Sequence, residues 1–324
     1  MSSSVVIVGA GAIGAWLADA FDRAGWSVSM LARGATLDAL RREGLRVSCA
    51  GDTRVTRPRA GTALELGVHD YVFLTVKAQT LPELAPTLTP LLGPATVVAS
   101  GTNGIPWWFF HDFGGELANL RLESVDPEGS QERTFPRERI LGSVVHASAR
   151  VLAPADVQVV AADRLLLGAP SAAPRGDLPA RLDSVVAALR AGGINALASN
   201  RIRQDVWTKL WGNMNMNPLS ALTRCGTARL LGCAEVRGLC VRMMEEMQLC
   251  AERLDLRIAI TAEERIGITQ GLGNFIPSML TDLEAGRPLE LAPQLGAVVE
   301  IAGLLDIPVP FSRSILGLTR LIAP

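Results

Sequence analysis

A glycine pattern close to the start of the chain is the feature that most constrains its fold. Gly9, Gly11 and Gly14 form a GxGxxG motif between a β-branched run at residues 5–8 and an amphipathic stretch at residues 13–24. After a strand and before a helix, the first glycine permits a tight turn and the second lets backbone approach a pyrophosphate. The third allows the helix to pack closely, and the free N–H groups at the helix start attract phosphate. The motif predicts a dinucleotide-binding βαβ unit.

The residue that follows the second strand of this unit indicates which dinucleotide binds. The second strand is predicted at Ser27–Leu31, and Arg33 follows it. Proteins that bind NAD usually carry Asp or Glu here, which accepts hydrogen bonds from the ribose hydroxyls. A guanidinium instead offers paired donors to a 2′-phosphate. Arg33 therefore favours NADP over NAD, the alternative being a solvated surface arginine.

Strand and helix signals continue to alternate over the first 200 residues. Further strands are predicted at residues 71–76, 96–100, 140–147, 157–160, 164–167 and 194–198, with a helix at 179–191. Such alternation is typical of a parallel sheet covered by helices. The fold class is thus α/β, with an N-terminal Rossmann-type, doubly wound, mainly parallel sheet. The polar segment 114–139 is expected to be a surface excursion.

Strand signals stop near Asn200, and only helices are predicted beyond it. Their expected bounds are residues 205–215, 236–254, 262–272, 277–284 and 293–305. We therefore predict an NADP-binding Rossmann domain at residues 1–200. An all-α C-terminal domain at residues 201–324 would bind the substrate and supply the catalytic side chains.

Charge and cysteine content exclude several classes of partner. The chain has 31 Lys plus Arg against 32 Asp plus Glu, which leaves no broad basic surface for nucleic acid or an anionic membrane. The five cysteines show no CxxC spacing, and no cluster of potential ligands has metal-site spacing. Met1–Ser4 lead directly into the first predicted strand, so we expect no leader. No apolar stretch reaches the roughly twenty residues of a membrane span. We expect a cytoplasmic protein with no bound metal.

A polar stripe on one predicted helix is the first candidate for chemistry. Residues 207–213 read Trp-Thr-Lys-Leu-Trp-Gly-Asn, and Lys209, Asn213 and Asn217 fall near one helix face because positions four apart are neighbours. The surrounding apolar residues would bury this helix, so a lysine and two amides there need partners or a ligand. A polar network that only ties helices together is the alternative.

A second segment makes a family resemblance specific. Residues 278–290 read Ser-Met-Leu-Thr-Asp-Leu-Glu-Ala-Gly-Arg-Pro-Leu-Glu. Together with the glycine motif and the Trp-x-Lys-Leu-x-x-Asn helix, this segment resembles the ketopantoate reductase (2-dehydropantoate 2-reductase) family over essentially the whole chain. The resemblance implies an NADPH-dependent oxidoreductase acting on CH–OH groups, with a role in pantothenate biosynthesis. Its substrate would be a small 2-oxo acid, with 2-dehydropantoate reduced to pantoate.

The resemblance also implies roles for residues of the helical domain. Lys209 would be the catalytic lysine that hydrogen-bonds the substrate oxygen, and Glu290 the acidic residue of the active site. Asn213 and Ser278 would contact the substrate, and Asn217 would line the same cavity.

In the first domain the resemblance implies two further site residues. Lys77 would lie near the cofactor and the substrate, and Asn103 beside the nicotinamide, in contact with both ligands. The sequence departs from the family pattern at Thr102, where glutamine is common, and at Phe275, where asparagine is expected. The aromatic residues 107–110 could also reshape the pocket mouth.

Reduction of a ketone requires a cation or proton donor at the carbonyl oxygen. Lys209 fits this role, while His146, on a predicted strand, is a rival. Burial would lower the pKa of Lys209 and Glu290 would raise it, so the sequence leaves the net direction open. Two functions from the same fold also stay open: a dehydrogenase of another 2-oxo or hydroxy acid, and a non-catalytic NADP-binding redox sensor. A homodimer through the helical domain is compatible with the sequence.

Overall fold

The computed structural model describes residues 3–171, 174 and 176–324 and divides into two compact units. The first unit comprises Met1–Thr102, Trp107–Arg121 and Glu128–Ile202. The second comprises Asn103–Pro106, Leu122–Pro127 and Arg203–Pro324. Two short segments from the first 130 residues thus belong to the second unit.

The first unit is built on one sheet. Its ten strands, within the described ranges, are β1 (Ser4–Val8), β2 (Ser27–Leu31), β3 (Leu45–Cys49), β4 (Asp52–Thr56), β5 (Arg59–Gly61), β6 (Tyr71–Leu74), β7 (Val97–Ser100), β8 (Ile140–Ala153), β9 (Asp156–Gly168) and β10 (Ala196–Ala198). The order is β4-β3-β9-β8-β7-β6-β1-β2-β5, with β10 paired to β9. All pairs are parallel except β3 with β4 and β8 with β9. The predicted Rossmann-type, mainly parallel sheet is confirmed.

The helices of the first unit are α1 (Ala12–Arg23), α2 (Gly34–Arg42), α3 (Ala63–Leu66), α4 (Leu81–Leu84), α5 (Ser130–Thr134) and α6 (Leu178–Ala191). Every residue of the central strands β1 and β6 beyond Ser4 is buried, as expected where helices cover both faces of parallel strands. Phe21 of α1 packs edge-on against Phe73 of β6, with ring centroids 5.2 Å apart. This contact joins the first helix to the middle of the sheet.

The second unit is helical, and no strand occurs in the part of it that the structure describes. Its helices are α7 (Ile202–Thr223), α8 (Thr227–Gly232), α9 (Ala234–Arg253), α10 (Ala262–Gly271), α11 (Ser278–Glu284), α12 (Ala297–Leu304) and α13 (Pro310–Ile322), with a π-helical turn at Ala292–Gly296. The buried Glu246 carboxylate accepts hydrogen bonds from the backbone N–H groups of Phe311 and Ser312, each at 2.8 Å. It thereby satisfies donors at the start of α13. The prediction of an all-α C-terminal part is confirmed.

Several element predictions are wrong in their bounds. The strands predicted at 157–160 and 164–167 are one strand, β9, because long-range pairing with β8 holds the intervening polar residues extended. The helix predicted at 205–215 continues through Pro218 to Thr223. Strands β3, β4 and β5 and helices α2, α3, α4, α5, α8 and α13 were not predicted, because they are short or carry no strong boundary signal.

Residues 114–139 are more than the surface excursion that their polar composition predicts. Leu117 and Phe135 are buried in the first unit, and Leu122 and Val125 in the second. These apolar residues are separated by charged ones, so composition averaged over the segment hides the side chains that point inward.

Two features of the described residues bear on the protein's partners. No helix in these ranges is long and apolar enough to cross a membrane. No group of three or more His, Cys, Asp or Glu side chains among them is arranged to hold a metal ion. Residues 1 and 2, which belong to the expected direct start of the first strand, lie outside the described residues. The cytoplasmic location stays a prediction.

Candidate active site

The first unit brings the predicted cofactor residues to one edge of its sheet. Val8 at the end of β1 is in register with Leu31 of β2 and Leu74 of β6, so the segments that follow these strands are neighbours. The glycine motif follows β1, and Arg33 follows β2. The Thr75 hydroxyl, just after β6, donates to the carbonyl of Gly9 at 2.9 Å. Ligands of open parallel sheets bind at such carboxyl ends.

The three glycines of the motif meet different surroundings. Gly9 has φ +107°, in the region that favours glycine, and a Cβ on Gly14 would lie 2.1 Å from the Gly9 carbonyl oxygen. A Cβ on Gly11 would meet nothing within 4 Å. No side chain caps α1, which begins at Ala12. Open space at Gly11 beside an uncapped helix start fits a pyrophosphate.

The two basic residues predicted to bind cofactor lie at the starts of neighbouring segments. Arg33 is exposed and precedes α2 at the position that caps the helix. Lys77 is of intermediate burial and precedes the 3₁₀ turn at Ala78–Thr80. The adjacent Val76 lies against Gly9, since a Cβ on that glycine would be 2.7 Å from Val76 Cγ1. Both cations therefore follow strands that flank the glycine motif.

In the second unit, Asn103 bridges the two residues predicted to be catalytic. Lys209 Nζ donates to Asn103 Oδ1 at 2.8 Å, and Asn103 Nδ2 donates to Glu290 Oε2 at 3.2 Å. Glu290 is buried, whereas Lys209 is of intermediate burial. We call Lys209, Asn103 and Glu290 the lysine cluster. Its amide holds the ammonium and the carboxylate in a fixed relation.

A π-helical turn holds the asparagine of the lysine cluster in place. Gly104 has φ +87°, and a Cβ there would lie 2.3 Å from the carbonyl oxygen of Pro293, in the turn. The same carbonyl accepts a hydrogen bond from the backbone N–H of Ile105 at 2.7 Å. π-Helical turns occur frequently at functional sites. Here the turn begins two residues after Glu290 and fixes the segment that carries Asn103.

The structure gives the net direction of the pKa shift of Lys209, which the sequence leaves open. Burial lowers the pKa of Lys209 from its ordinary value to about 8, and the negative charge of Glu290 opposes this shift only in part. Loss of hydration disfavours the charged ammonium, and here it outweighs the attraction of the carboxylate. A group with a pKa of about 8 can both give and recover a proton close to neutral pH.

The other predicted substrate residues divide into accessible and buried side chains. Asn213, one turn beyond Lys209, is of intermediate burial, and Ser278, the first residue of α11, is exposed. Neither side chain forms a hydrogen bond with the described residues. Asn217 is buried and donates to Gln294 Oε1, in the π-helical turn, at 2.7 Å. The first two are therefore open to a ligand, while Asn217 ties α7 to the turn.

The histidines and the aromatic cluster lie in the first unit. His69 is buried, and its ring nitrogens contact the Gly67 carbonyl at 2.8 Å and the Ser29 hydroxyl at 2.9 Å, while burial lowers its pKa. His146 lies on β8. The aromatic residues 107–110 are all buried, and Trp108 Nε1 donates to Ser100 Oγ at 2.8 Å. These rings form part of the core of the first unit, and their effect on a pocket mouth stays a prediction.

Sequence reasoning missed Arg265, on α10. A Cβ on Gly212 would lie 2.3 Å from Arg265 Nη2 and 2.8 Å from its Cζ, so the guanidinium rests against the backbone of α7. Gly212 follows Lys209 by three residues, which is about one helical turn. A glycine inside a buried helix is the signal that could have revealed this approach, since it is destabilising unless close packing requires it.

The glycine motif at the sheet edge and the lysine cluster of the helical unit fit an oxidoreductase that acts on CH–OH groups, the class that the matching family models and relatives show. The family model described as "Ketopantoate reductase PanE/ApbA" matches residues 5–172. The model "Ketopantoate reductase PanE/ApbA C terminal" matches residues 201–323. The chain belongs to the ketopantoate reductase family.

Known proteins resemble the chain over nearly its whole length. A 2-dehydropantoate 2-reductase of Mesorhizobium japonicum is 39% identical over 98% of this chain and 97% of its own. A solved structure described as a putative ketopantoate reductase from Ralstonia solanacearum MolK2 superposes with a TM-score of 0.93 at 38% identity, covering 99% of this chain and 98% of its own. D-mandelate dehydrogenase, solved with NADH and anilino(oxo)acetate, shares the fold at 20% identity, with a TM-score of 0.83 and 98% of each chain covered. Ketopantoate reductases are NADPH-dependent, so a nicotinamide dinucleotide is the cofactor.

Proposed function

We propose that the protein reduces 2-dehydropantoate to pantoate with NADPH. The lysine cluster is the observation that carries this proposal. It offers an ammonium with a pKa of about 8, held by an amide that also binds a buried carboxylate. A carbonyl oxygen that gains negative charge needs such a donor.

The proposed reaction converts a 2-oxo acid, NADPH and a proton into a 2-hydroxy acid and NADP⁺. When bound, the reduced nicotinamide supplies a hydride to the carbonyl carbon, and the electrons of the C=O π bond move to oxygen. Lys209 Nζ donates its proton to that oxygen and regains one from solvent. Glu290 favours the charged form of Lys209 and, through Asn103, keeps Nζ oriented.

Other residues of the second unit would orient the substrate. Asn213 and Ser278 have free side-chain donors and acceptors, so we assign them to hydrogen bonds with the substrate. Asn217 would support the same site indirectly. Its buried hydrogen bond to Gln294 ties α7, which carries Lys209 and Asn213, to the π-helical turn. In the first unit Gly9, Gly11, Gly14 and Lys77 would hold the cofactor, with Arg33 on the 2′-phosphate. Asn103, which belongs to the second unit, is assigned to the nicotinamide as well as to the substrate.

The reductase proposal is tested by following NADPH absorbance with purified protein and a panel of 2-oxo acids. We expect 2-dehydropantoate to give the highest kcat/KM. A higher kcat/KM for another 2-oxo acid would identify that acid as the substrate of the same mechanism. If NADPH binds but none of the 2-oxo acids oxidises it, the reductase proposal fails and the non-catalytic redox sensor remains. Sedimentation of the same sample tests the homodimer.

The pH dependence should follow Lys209 with opposite signs in the two directions. Reduction needs the protonated amine, so its kcat/KM should be level at lower pH and fall about tenfold per unit as pH rises through about 8. Oxidation of pantoate by NADP⁺ needs the neutral amine, so its kcat/KM should rise through the same pH. Measuring both profiles in one buffer series checks this, and limbs of the same sign would exclude Lys209 as the group that titrates.

Arg33→Asp should reverse the cofactor preference. The carboxylate would repel a 2′-phosphate and accept ribose hydroxyls, so the Kd for NADPH should rise about 100-fold while that for NADH should not rise. Arg42→Asp is the matched control, since Arg42 is an exposed residue of α2 paired with Glu43 at 2.7 Å. Fluorescence titration of both nucleotides gives the affinities. Equal losses for the two nucleotides would remove Arg33 from 2′-phosphate recognition.

A further inference from the structure

The guanidinium of Arg265 carries a charge that no acidic side chain in the described ranges neutralises. Among the described residues its side chain hydrogen-bonds only to Thr269, whose Oγ1 accepts from Nη1 at 2.8 Å, and it forms no ion pair. Burial also lowers its pKa. Arginine has five N–H donors, so most of them remain available. A cation withdrawn from water without a counter-ion is unfavourable, and a bound anion relieves this cost.

The chain makes room for this cation next to the proposed catalytic lysine. The guanidinium lies flat against Gly212, with Nη2, Cζ and Nε at 2.3, 2.8 and 3.1 Å from where a Cβ would be. Side chains three residues apart on a helix are neighbours, with Cβ atoms about 5–6 Å apart. Arg265 therefore contacts α7 at Gly212, about one helical turn beyond Lys209. The residue is of intermediate burial, so a small ligand can reach it.

A 2-oxo acid has its carbonyl oxygen and its carboxylate on adjacent carbons, so the groups that bind them must be close neighbours. We propose that Arg265 binds the carboxylate of the substrate while Lys209 holds the carbonyl oxygen, and that Gly212 is required for this arrangement. The inference rests on the proposed reduction of a 2-oxo acid. It makes Arg265 the residue that selects acids over uncharged ketones, because a planar guanidinium matches a carboxylate with two parallel hydrogen bonds.

The test compares a 2-oxo acid with its methyl ester, which has no negative charge. Arg265→Gln keeps a donor for Thr269 and removes the charge. We expect KM for the acid to rise about 100-fold, while KM for the ester and the Kd for NADPH stay within about twofold. Gly212→Ala, which displaces the guanidinium, should shift KM in the same direction. Arg242→Gln is the matched control, because Arg242 is exposed on α9 and paired with Glu245 at 3.0 Å, and it should change neither KM.

Binding of pantoate to the NADP⁺-loaded protein, measured by calorimetry, separates this inference from the proposed reaction. If the wild type turns over no 2-oxo acid but binds pantoate, and Arg265→Gln weakens that binding, the anion site stands and the reductase proposal fails. If the wild type is active and Arg265→Gln changes KM for the acid and for the ester equally, or changes neither KM, the proposed role of Arg265 in carboxylate binding is overturned. Should Arg265→Gln fail to fold, Arg265→Lys keeps the charge without the planar fork. It should raise KM for the acid by about tenfold and leave the ester unaffected.

Discussion

Replacing Lys209 with methionine should lower kcat for 2-dehydropantoate by about 1,000-fold, within the range that a positioned general acid contributes. Methionine fills much of the volume of the lysine stem, so α7 should keep its packing. The Kd for NADPH should not change, because the proposed dinucleotide contacts are made by other residues. Stopped-flow reduction at saturating substrate measures the chemical step, and fluorescence titration measures the affinity.

Rescue by small amines distinguishes a lost proton donor from a disturbed fold. In Lys209→Ala, methylammonium should restore part of kcat, with a pH dependence that follows the added amine. A misfolded variant would not recover. If Lys209→Met keeps more than about a tenth of kcat, a single proton donor at this position is excluded, because general acid catalysis is worth at least about 100-fold.

Two alanine substitutions in the glycine motif should separate folding from cofactor binding: Gly14→Ala should lower the stability of the fold, and Gly11→Ala should lower the affinity for NADPH. Gly14→Ala places a Cβ 2.1 Å from the Gly9 carbonyl oxygen and 2.6 Å from Thr75 Oγ1. Backbone must move to accept it, so we expect a loss of about 3 kcal/mol in the free energy of unfolding. The midpoint of thermal unfolding without ligand should fall by about 5–10 °C.

Gly11→Ala is the matched partner of this variant. Its Cβ meets no protein atom within 4 Å, and its backbone has φ −79° and ψ −174°, which alanine adopts readily. The unfolding midpoint without ligand should therefore stay within about 2 °C. The Kd for NADPH should rise on the order of 100-fold, because the methyl group occupies the space of the pyrophosphate. An unchanged Kd would place the pyrophosphate elsewhere.

The first unit was largely predictable because its signals are local. A glycine motif, β-branched runs and an amphipathic stretch each identify an element within about fifteen residues, and Ser27–Leu31 is bounded as predicted. Strand β9 was predicted as two pieces because its continuity depends on pairing with β8, which no local pattern reveals. Burial of Phe135 in a charged segment likewise depends on tertiary packing.

Residues of the candidate site were predictable only where they belong to a sequence motif. Lys209 and Glu290 follow from their motifs, but Asn103 bridges them across 106 and 187 residues of sequence. Burial and the charge of Glu290 shift the pKa of Lys209 in opposite directions, so only the folded surroundings give the net effect. Arg265 has no sequence motif, and its approach to Gly212 becomes visible only when α10 packs on α7.

The proposed reaction requires direct transfer of hydride from NADPH to the substrate carbon. An isotope label tests this transfer. NADPH carrying deuterium on the reactive face of C4 is incubated with the wild-type protein and 2-dehydropantoate, and the product is analysed by mass spectrometry and NMR. Direct hydride transfer predicts pantoate with one deuterium at C2, formed in equal amount to NADP⁺, and almost none from Lys209→Met over the same time. Consumption of NADPH without deuterium at C2, or no pantoate at all, would contradict it.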